Sequence, residues 1–461
     1  MVTMPVSLTS CGTVTVTEQR YWFRNRLTTN EITMHNTPLI LNNRFISFLI
    51  LALFFTLPFE RIPTFEFAGF TVKLSYIIAT VLLFVFIFSH PLELFKKFQL
   101  SLSDKLLGAF WFFSLVSSLI VSPNIKRSLV ILALWVFVFL AYIILSRLLA
   151  KSVTREKIFN IILTSSVLVC LFGIFQFIGD SFGLCTSVTG LRFEYTKVIL
   201  GFPRIQSVAL EPLYFANFLL VPFFISIVKY VQNKEILKGY FWISILILVN
   251  IILTISRGAF IALGASLFVF MIYLLINRYK DNYMNKFIGL IIIIFISATF
   301  SFGLINKLNG KQATSNFAEH SVVENVQEDG SALDRVGTYK LALSYFKSDP
   351  VLGIGTGGFG VLTKNPNGKN GYGTVNNEYI EILSENGLVG LLLFLALLIV
   401  LAIECKNQYK NINPVDKLMF LGLFLGVLAI LIQYNFFSTL YIIYIWAFMA
   451  LLKSYTLQKP E

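Results

Sequence analysis

Charge is scarce in this chain. Only 13% of its 461 residues are Asp, Glu, Lys or Arg, while 56% are hydrophobic. With a mean hydropathy of +0.76, that composition excludes an ordinary soluble domain, which carries charge on about a quarter of its residues. Histidine is scarcer still, and His35, His90 and His320 are too scattered for a metal site. The four cysteines, Cys11, Cys170, Cys185 and Cys405, show neither a disulfide framework nor a zinc spacing. No metal and no cofactor is expected. Matching broken segments in two halves, the mark of many transporters, are also missing.

What the chain has instead is long apolar runs. A spanning helix needs about 20 mostly apolar residues, and segments near 45–58, 72–89, 104–121, 127–147, 157–178, 211–230, 240–255, 258–277, 287–305, 387–404, 416–434 and 437–453 supply them. The expected fold is an all-α polytopic membrane protein of about twelve transmembrane helices, with a large extracytoplasmic loop bearing short amphipathic helices. Residues 1–44 read as a cytoplasmic tail, 45–305 as spans one to nine, 306–386 as the large outer loop, 387–453 as spans ten to twelve, and 454–461 as a second cytoplasmic tail. The first five spans are nearly free of polar groups and read as lipid-facing scaffold.

Lys and Arg gather in alternate loops, for example Lys96–Lys97, Arg147–Lys157, Lys229–Lys238 and Lys406–Lys417. The retention of positive loops in the cytoplasm puts both termini there. The net charge of +13 is thus topology and not a nucleic-acid footprint. Residues 1–44 lack the apolar core of a signal peptide. The run Leu8-Thr9-Ser10-Cys11 lacks the lead-in of a lipoprotein box, and Met34 is an alternative start.

Positive residues on the outer side therefore ask for an explanation. The first sizeable outer loop, 179–210, holds Arg192, Glu194, Lys197 and the run GFPRIQSVALEP ending at Pro212. Arg204 there faces an anionic ligand with Glu211 at the mouth of the next span, or the two simply pair and solvate. In LTISRGAF, 253–260, two apolar segments meet at Ser256-Arg257-Gly258 with almost no loop between them. An arginine deep in that turn costs about 2–3 kcal/mol and is a functional candidate; the plainer alternative is one that snorkels to headgroups. Gly258 permits a tight turn or close helix packing.

The long polar interruption comes next. Its start, from Lys307 to Gly330, reads as featureless. Ser331 and Asp334 then have the spacing of a helix start, Leu333, Val336, Leu343 and Phe346 recur at helical spacing, and Asp349-Pro350 stops the run. Arg335 falls in the first turn, where the helix dipole disfavours a cation, so either an anionic partner or a salt bridge to Asp334 or Glu328 holds it. GIGTGGFG at 353–360 contains G-x-G-x-x-G but lacks the strand–turn–helix context of a dinucleotide site. Its glycines suit a tightly folded loop with exposed N–H groups, a weak phosphate signal. A second short helix is expected from Asn376 to about Gly387. Glu378, Glu381 and Glu385 share one face of it, which reads as solvated for Glu381 and as a candidate base for Glu378.

Taken in order, SRGA at 256–259, ALDR at 332–335, GIGTGGF at 353–359 and NNEYIEILSENGLVGLLLF at 376–394 resemble the O-antigen ligase and polymerase family of bacterial polysaccharide assembly. The resemblance covers roughly residues 200–400. It implies a metal-independent, membrane-embedded glycosyltransferase of the C type. The substrate would be an undecaprenyl-diphosphate-linked oligosaccharide used on the outer face, with membrane lipids and the pathway's chain-length regulator and flippase as partners. Arginines would meet the donor diphosphate: Arg257 by match, with Arg204 and Arg335 as companions and Lys197 nearby. The ligase branch carries His-Asn at the entrance to the tenth span, where this chain has Asn376-Asn377. Asparagine is no base, so the resemblance implies a polymerase, with Glu211 or Glu378 as base or with an acceptor that needs only positioning. A ligase is the alternative reading. A transporter of small anions or lipid-linked sugar is the other, although transporters put polar groups at the midplane and here they collect at the outer rim.

Overall fold

The protein is described here by a computed structural model over residues 44–62, 65–67, 70–89, 100–150, 155–233, 239–277, 283–321, 330–363 and 373–457. The N-terminal features, Cys11, the Met34 start, His35 and His90, fall outside these residues, as does the side chain of His320.

Besides the four-residue helices Thr186–Thr189 and Lys197–Leu200, the described residues form fourteen α-helices. They are α1 Arg44–Thr56, α2 Leu74–Ser89, α3 Leu102–Val121, α4 Ile125–Ala150, α5 Arg155–Ser181, α6 Pro212–Gln232, α7 Tyr240–Leu253, α8 Arg257–Ile276 and α9 Tyr283–Ser321, followed by α10 Gly330–Ser348, α11 Gly358–Leu362, α12 Glu378–Tyr409, α13 Pro414–Gln433 and α14 Ile443–Thr456. The described strands are one antiparallel hairpin, β1 Phe65–Phe67 and β2 Phe70–Val72, between α1 and α2. Among the described residues, eight helices are long and apolar enough to cross a membrane alone, and α1, α2 and α7 are shorter apolar helices. This is a multi-pass membrane protein.

Each expected apolar segment falls on a helix, and the ends follow local chemistry. Proline opens α6 and α13 at their first turns, where a missing N–H is harmless. Ser101 and Asp104 form a reciprocal capping box at α3. The last segment is displaced: the expected span 437–453 becomes a non-helical stretch, 434–442, before α14 begins. The 283–321 helix is also broken, at Gly310, which has φ 89°. The stretch expected to be featureless continues there as helix, and Phe317 packs edge-on to Phe202 and Phe302.

Helix α6 is the axis of this arrangement. It packs on α13, α7 and α5, and 94% of its apolar window is buried, against 28% for α12. Polar groups this deep need partners. Asn217 of α6 donates to Gln433 Oε1 of α13 at 2.9 Å, and Tyr444 of α14 donates to Asn217 Oδ1 at 2.8 Å. This triad locks together the three helices that carry Glu211 and the 434–442 loop at one end.

At the opposite end, buried charges are paired, which offsets their desolvation. Lys453 meets Glu404 together with Ser101 and Ser103, and Arg147 meets Asp104. Arg155 stacks on Tyr455 at 4.0 Å.

Candidate active site

At the Glu211 end, three loops and one short helix converge, and the helices expected to be bland scaffold are what hold them. Gln176 of α5 donates to the carbonyls of Thr189 and Ser207, both at 3.1 Å, and accepts from Ser207 N at 2.7 Å. Ser207 is thereby fixed at φ 51°. In α3 and α4, Ser117 donates to Leu352 O, Ser118 accepts from Thr356 N, and Ser128 donates to Thr356 O. Polar residues that look incidental in sequence are anchors for distant backbone.

Arg204 is the residue around which the arginines assemble. Its Nε donates to Thr254 O at 3.2 Å and its Nη2 to Ile255 O at 3.4 Å. Its guanidinium also lies over the Tyr195 ring, 5.7 Å from the centroid. The two carbonyls belong to the turn that presents Arg257 as the first residue of α8. Ile255 in that turn has φ 53°, a strained conformation for a β-branched residue. Burial holds the Arg204 pKa below its ordinary value, and the positive charges of Arg257 and Arg335 act in the same direction. Three arginines far apart in sequence therefore share one field.

Arg335 arrives there because α10 turns a different face inward from the one its apolar pattern suggests. Val336 and Leu343 are exposed, and Ala342 is buried with Tyr339 and Tyr345 against Phe359 and Val375. Arg335 lies half-buried on that inner side, with Thr338 and Tyr339.

Glu211 and Glu378 sit in different settings. Glu211 is half-buried just before α6, its carboxylate makes no cap to that helix, and among the described residues it receives no hydrogen bond. Burial raises its pKa, and Arg192 and Arg204 partly counter that. Tyr195 beside it is pushed up to about 12, chiefly by burial and then by Glu211. Glu378 is only 3% exposed, and its Oε2 accepts from Thr439 N at 2.6 Å.

The acidic face of α12 is not solvated. Glu381 accepts from Val375 N at 3.0 Å, and Glu385 accepts from Gly357 N at 2.7 Å and Phe359 N at 3.1 Å. Each carboxylate staples a separate loop to one helix face, and the charge of Arg127 on α4 acts on both Glu381 and Glu385. The glycine loop is consumed in the same way. Ile354 N and Gly355 N donate to the carbonyls of Ser384 and Glu385, Thr356 N donates to Ser118, and Gly358 N donates to Gly355 O. The expected exposed N–H nest is thus spent inside the protein. Gly353 and Gly355 have φ 72° and 81°, and a Cβ on Gly353 would stand 2.6 Å from Ser384 O.

The asparagine pair is mostly occupied as well. Asn377 caps α12 through Oδ1 to Ile380 N at 3.1 Å and donates to Asn435 O at 3.2 Å. Asn376 takes φ 59°, and its Oδ1 accepts from Thr374 at 3.2 Å. Lys197 stands apart from the arginines: its Nζ donates to Ser181 O and its N–H to Asp180 Oδ2 at 2.7 Å, fastening the end of α5. Arg192 reaches Glu194 at 3.9 Å.

Sequence reasoning missed Tyr195, Arg61, Arg127 and Phe436. Arg61 and Arg127 were findable, because both fall in or beside loops expected on the side that lacks positive residues. Arg61 donates to Gly190 O at 2.7 Å and ties the first outer loop to the Arg204 loop. Phe436 carried no signal. It packs so closely on Gly258 that an added Cβ would lie 2.6 Å from its ring. Gly258→Ala should therefore displace either α8 or the 434–442 loop. We expect a loss of about 1–3 kcal/mol, read as a lower melting temperature in detergent. An unchanged melting temperature would show that Phe436 moves freely.

Among the described residues, no group of three or more His, Cys, Asp or Glu side chains comes together as a cation site. The Ser256 hydroxyl, beside Arg257, is buried with no hydrogen-bond partner among them. The arrangement can hold a polyanion against three guanidinium groups next to a half-buried carboxylate.

No curated protein matches the chain. Residues 242–395, about a third of it, match the family model described as O-Antigen ligase. That stretch contains Arg257, Arg335, the glycine loop, Asn376, Asn377 and Glu378, whereas Arg204 and Glu211 precede it. Over those residues the chain is similar to that family, and the rest of the chain lies outside the match.

Proposed function

We propose that the chain is a polysaccharide polymerase of the bacterial inner membrane, joining undecaprenyl-diphosphate-linked repeat units on the outer face, with both termini in the cytoplasm. In this reading the acceptor hydroxyl oxygen bonds to the anomeric carbon of the donor glycan as the bond from that carbon to the phosphate oxygen breaks. The proton passes to Glu211, and the lipid diphosphate leaves with the electron pair. Arg257, with Arg204 and Arg335, meets the charge that develops on the leaving group, where low dielectric makes preorganised donors most effective. A base held above the ordinary carboxylate range is better matched to a hydroxyl proton than a solvated one.

The observation that supports polymerase over ligase is Asn376, which stands where the resemblance gives a ligase its histidine, cannot act as a base, and accepts through Oδ1 from Thr374 at 3.2 Å. The proposed base then lies across the site, at Glu211.

The test is a gel of surface and lipid-linked glycan from a deletion strain with and without the wild-type gene. Single repeats on the final acceptor, lengthened to a ladder only by the gene, are the expected result. Long lipid-linked chains that never reach their acceptor would mean a ligase. An unchanged ladder would remove the protein from that pathway and favour transport of anions or lipid-linked sugar.

A further inference from the structure

An apolar groove runs between α12 and α13. Its outer part has a volume of about 370 Å³ and is lined by Leu398, Leu401 and Ala402 on one side and Leu428 and Leu431 on the other. A second cavity of about 210 Å³ shares Ala402, Cys405 and Phe424 with it and continues towards Lys406 and Tyr409. Ile399, 59% exposed, forms one lip, so the groove is open on the side that faces lipid.

We propose that this groove holds the polyisoprenoid chain of a lipid-linked substrate. The proposal rests on the glycan-transfer reading above and adds where the carrier lies.

Length is the first argument. Along α13 the lining runs from Phe420 to Asn435, about 22 Å at 1.5 Å per residue. Half of a bilayer's hydrocarbon core is about 15 Å, so the groove outruns one leaflet and suits a chain longer than a phospholipid tail. Chemistry is the second. The polar groups at the outer end are already used within the protein: Tyr379 donates to Leu431 O at 2.8 Å and Asn435 Nδ2 to Ile432 O at 2.9 Å. Between Asn435 and Lys406, which lies at the inner mouth, the groove is apolar and suits a hydrocarbon. Continuity is the third. Asn435 closes the outer end, its carbonyl accepts from Asn377 and from Tyr339, both at 3.2 Å, and its neighbour Phe436 packs on Gly258 next to Arg257. A chain leaving the groove at Asn435 emerges beside the arginines, where its diphosphate is wanted.

The test compares glycan donors and acceptors on an undecaprenyl-length and a geranyl-length diphosphate, using Ala402→Trp and Leu428→Trp in vesicles of phosphatidylethanolamine and phosphatidylglycerol. Both variants should raise KM for the long-chain form of one substrate several-fold, because the indole fills the groove and the displaced chain, still in lipid, loses its packing against α12 and α13. The geranyl-length form should lose less than the long-chain form, and an unchanged melting temperature in detergent would show that the variants fold. A KM unchanged for both lengths would overturn the proposal, as would a loss that is equal for both.

A second measurement needs no turnover. An undecaprenyl diphosphate with a diazirine on its last isoprene should label peptides of α12 and α13, and unlabelled undecaprenyl diphosphate should suppress the labelling. Labelling by a diazirine phospholipid that undecaprenyl diphosphate does not displace would make the groove an ordinary lipid site. Normal transfer with label elsewhere would sink the groove alone. Displaceable label in the groove without any transfer would sink the transfer reading alone.

Discussion

If the chain is the proposed polymerase, Arg257→Ala should lower the rate of glycan transfer about 10²–10³-fold, the usual effect of deleting one preorganised donor to a developing anion, while the protein stays folded. Arg257→Lys should recover only part of that loss, because an ammonium keeps the charge but not the planar fork that grips a diphosphate. The reason to expect a large effect is how Arg257 is presented. Its turn contains Ile255 at φ 53°, a conformation costing about 1–3 kcal/mol, and Arg204 holds that turn by its two carbonyls. Strain maintained beside a cationic side chain is spent on position. Arg204→Ala should then lose both its own charge and the placement of Arg257. In a double-mutant cycle the two alanine variants should be far from additive, with the double variant little worse than Arg257→Ala alone. Additive losses would mean that the two arginines act independently, and full activity of Arg257→Ala would end the diphosphate assignment.

The helices and the odd arginines were legible in the sequence because their signals are local. Apolar length marks a span, and a positive residue off the retained side marks itself. The site's scaffolding was not legible, because it is made of contacts across long stretches of chain. Glu378 accepts from a backbone N–H that is 61 residues away, and Gln176 from one that is 31 away. No period or spacing encodes such pairs, so Glu381 read as solvated and Glu378 as a base when both accept from backbone N–H groups. The 434–442 stretch failed for a related reason. Phe436, Phe437 and Leu440 look like part of a span, yet Asn435, Ser438 and Thr439 interrupt the run, and the loop takes its shape from Glu378 and Gly258 outside it. The face of α10 that turns inward was also decided from outside, by Phe359 and Val375.

Glu211→Gln should remove the proposed base and lower transfer about 10²–10⁴-fold without lowering the amount of folded protein, because the carboxylate makes no hydrogen bond to the described chain that an amide would lose. The pH profile is the sharper readout. A base works when deprotonated, so activity rises with pH. Burial raises the Glu211 pKa, so the rising limb should lie above the ordinary carboxylate value of 4.5. The charge of Arg192 lowers that pKa, so Arg192→Gln should move the limb further up, a direction a merely structural role would not produce. Stability follows the opposite sense. Between 4.5 and the raised folded value, the folded protein binds the proton more tightly than the unfolded chain does. This group's contribution to stability therefore declines as pH rises through that window, and Glu211→Gln should abolish that slope. Glu378→Gln is the contrast. Its carboxylate is committed to Thr439 N, so its loss should appear in the melting temperature and leave the limb in place. A wild-type rate and limb for Glu211→Gln, with the limb lost in Glu378→Gln, would transfer the role to Glu378. Wild-type behaviour of both would leave an acceptor that is positioned and never deprotonated by the protein.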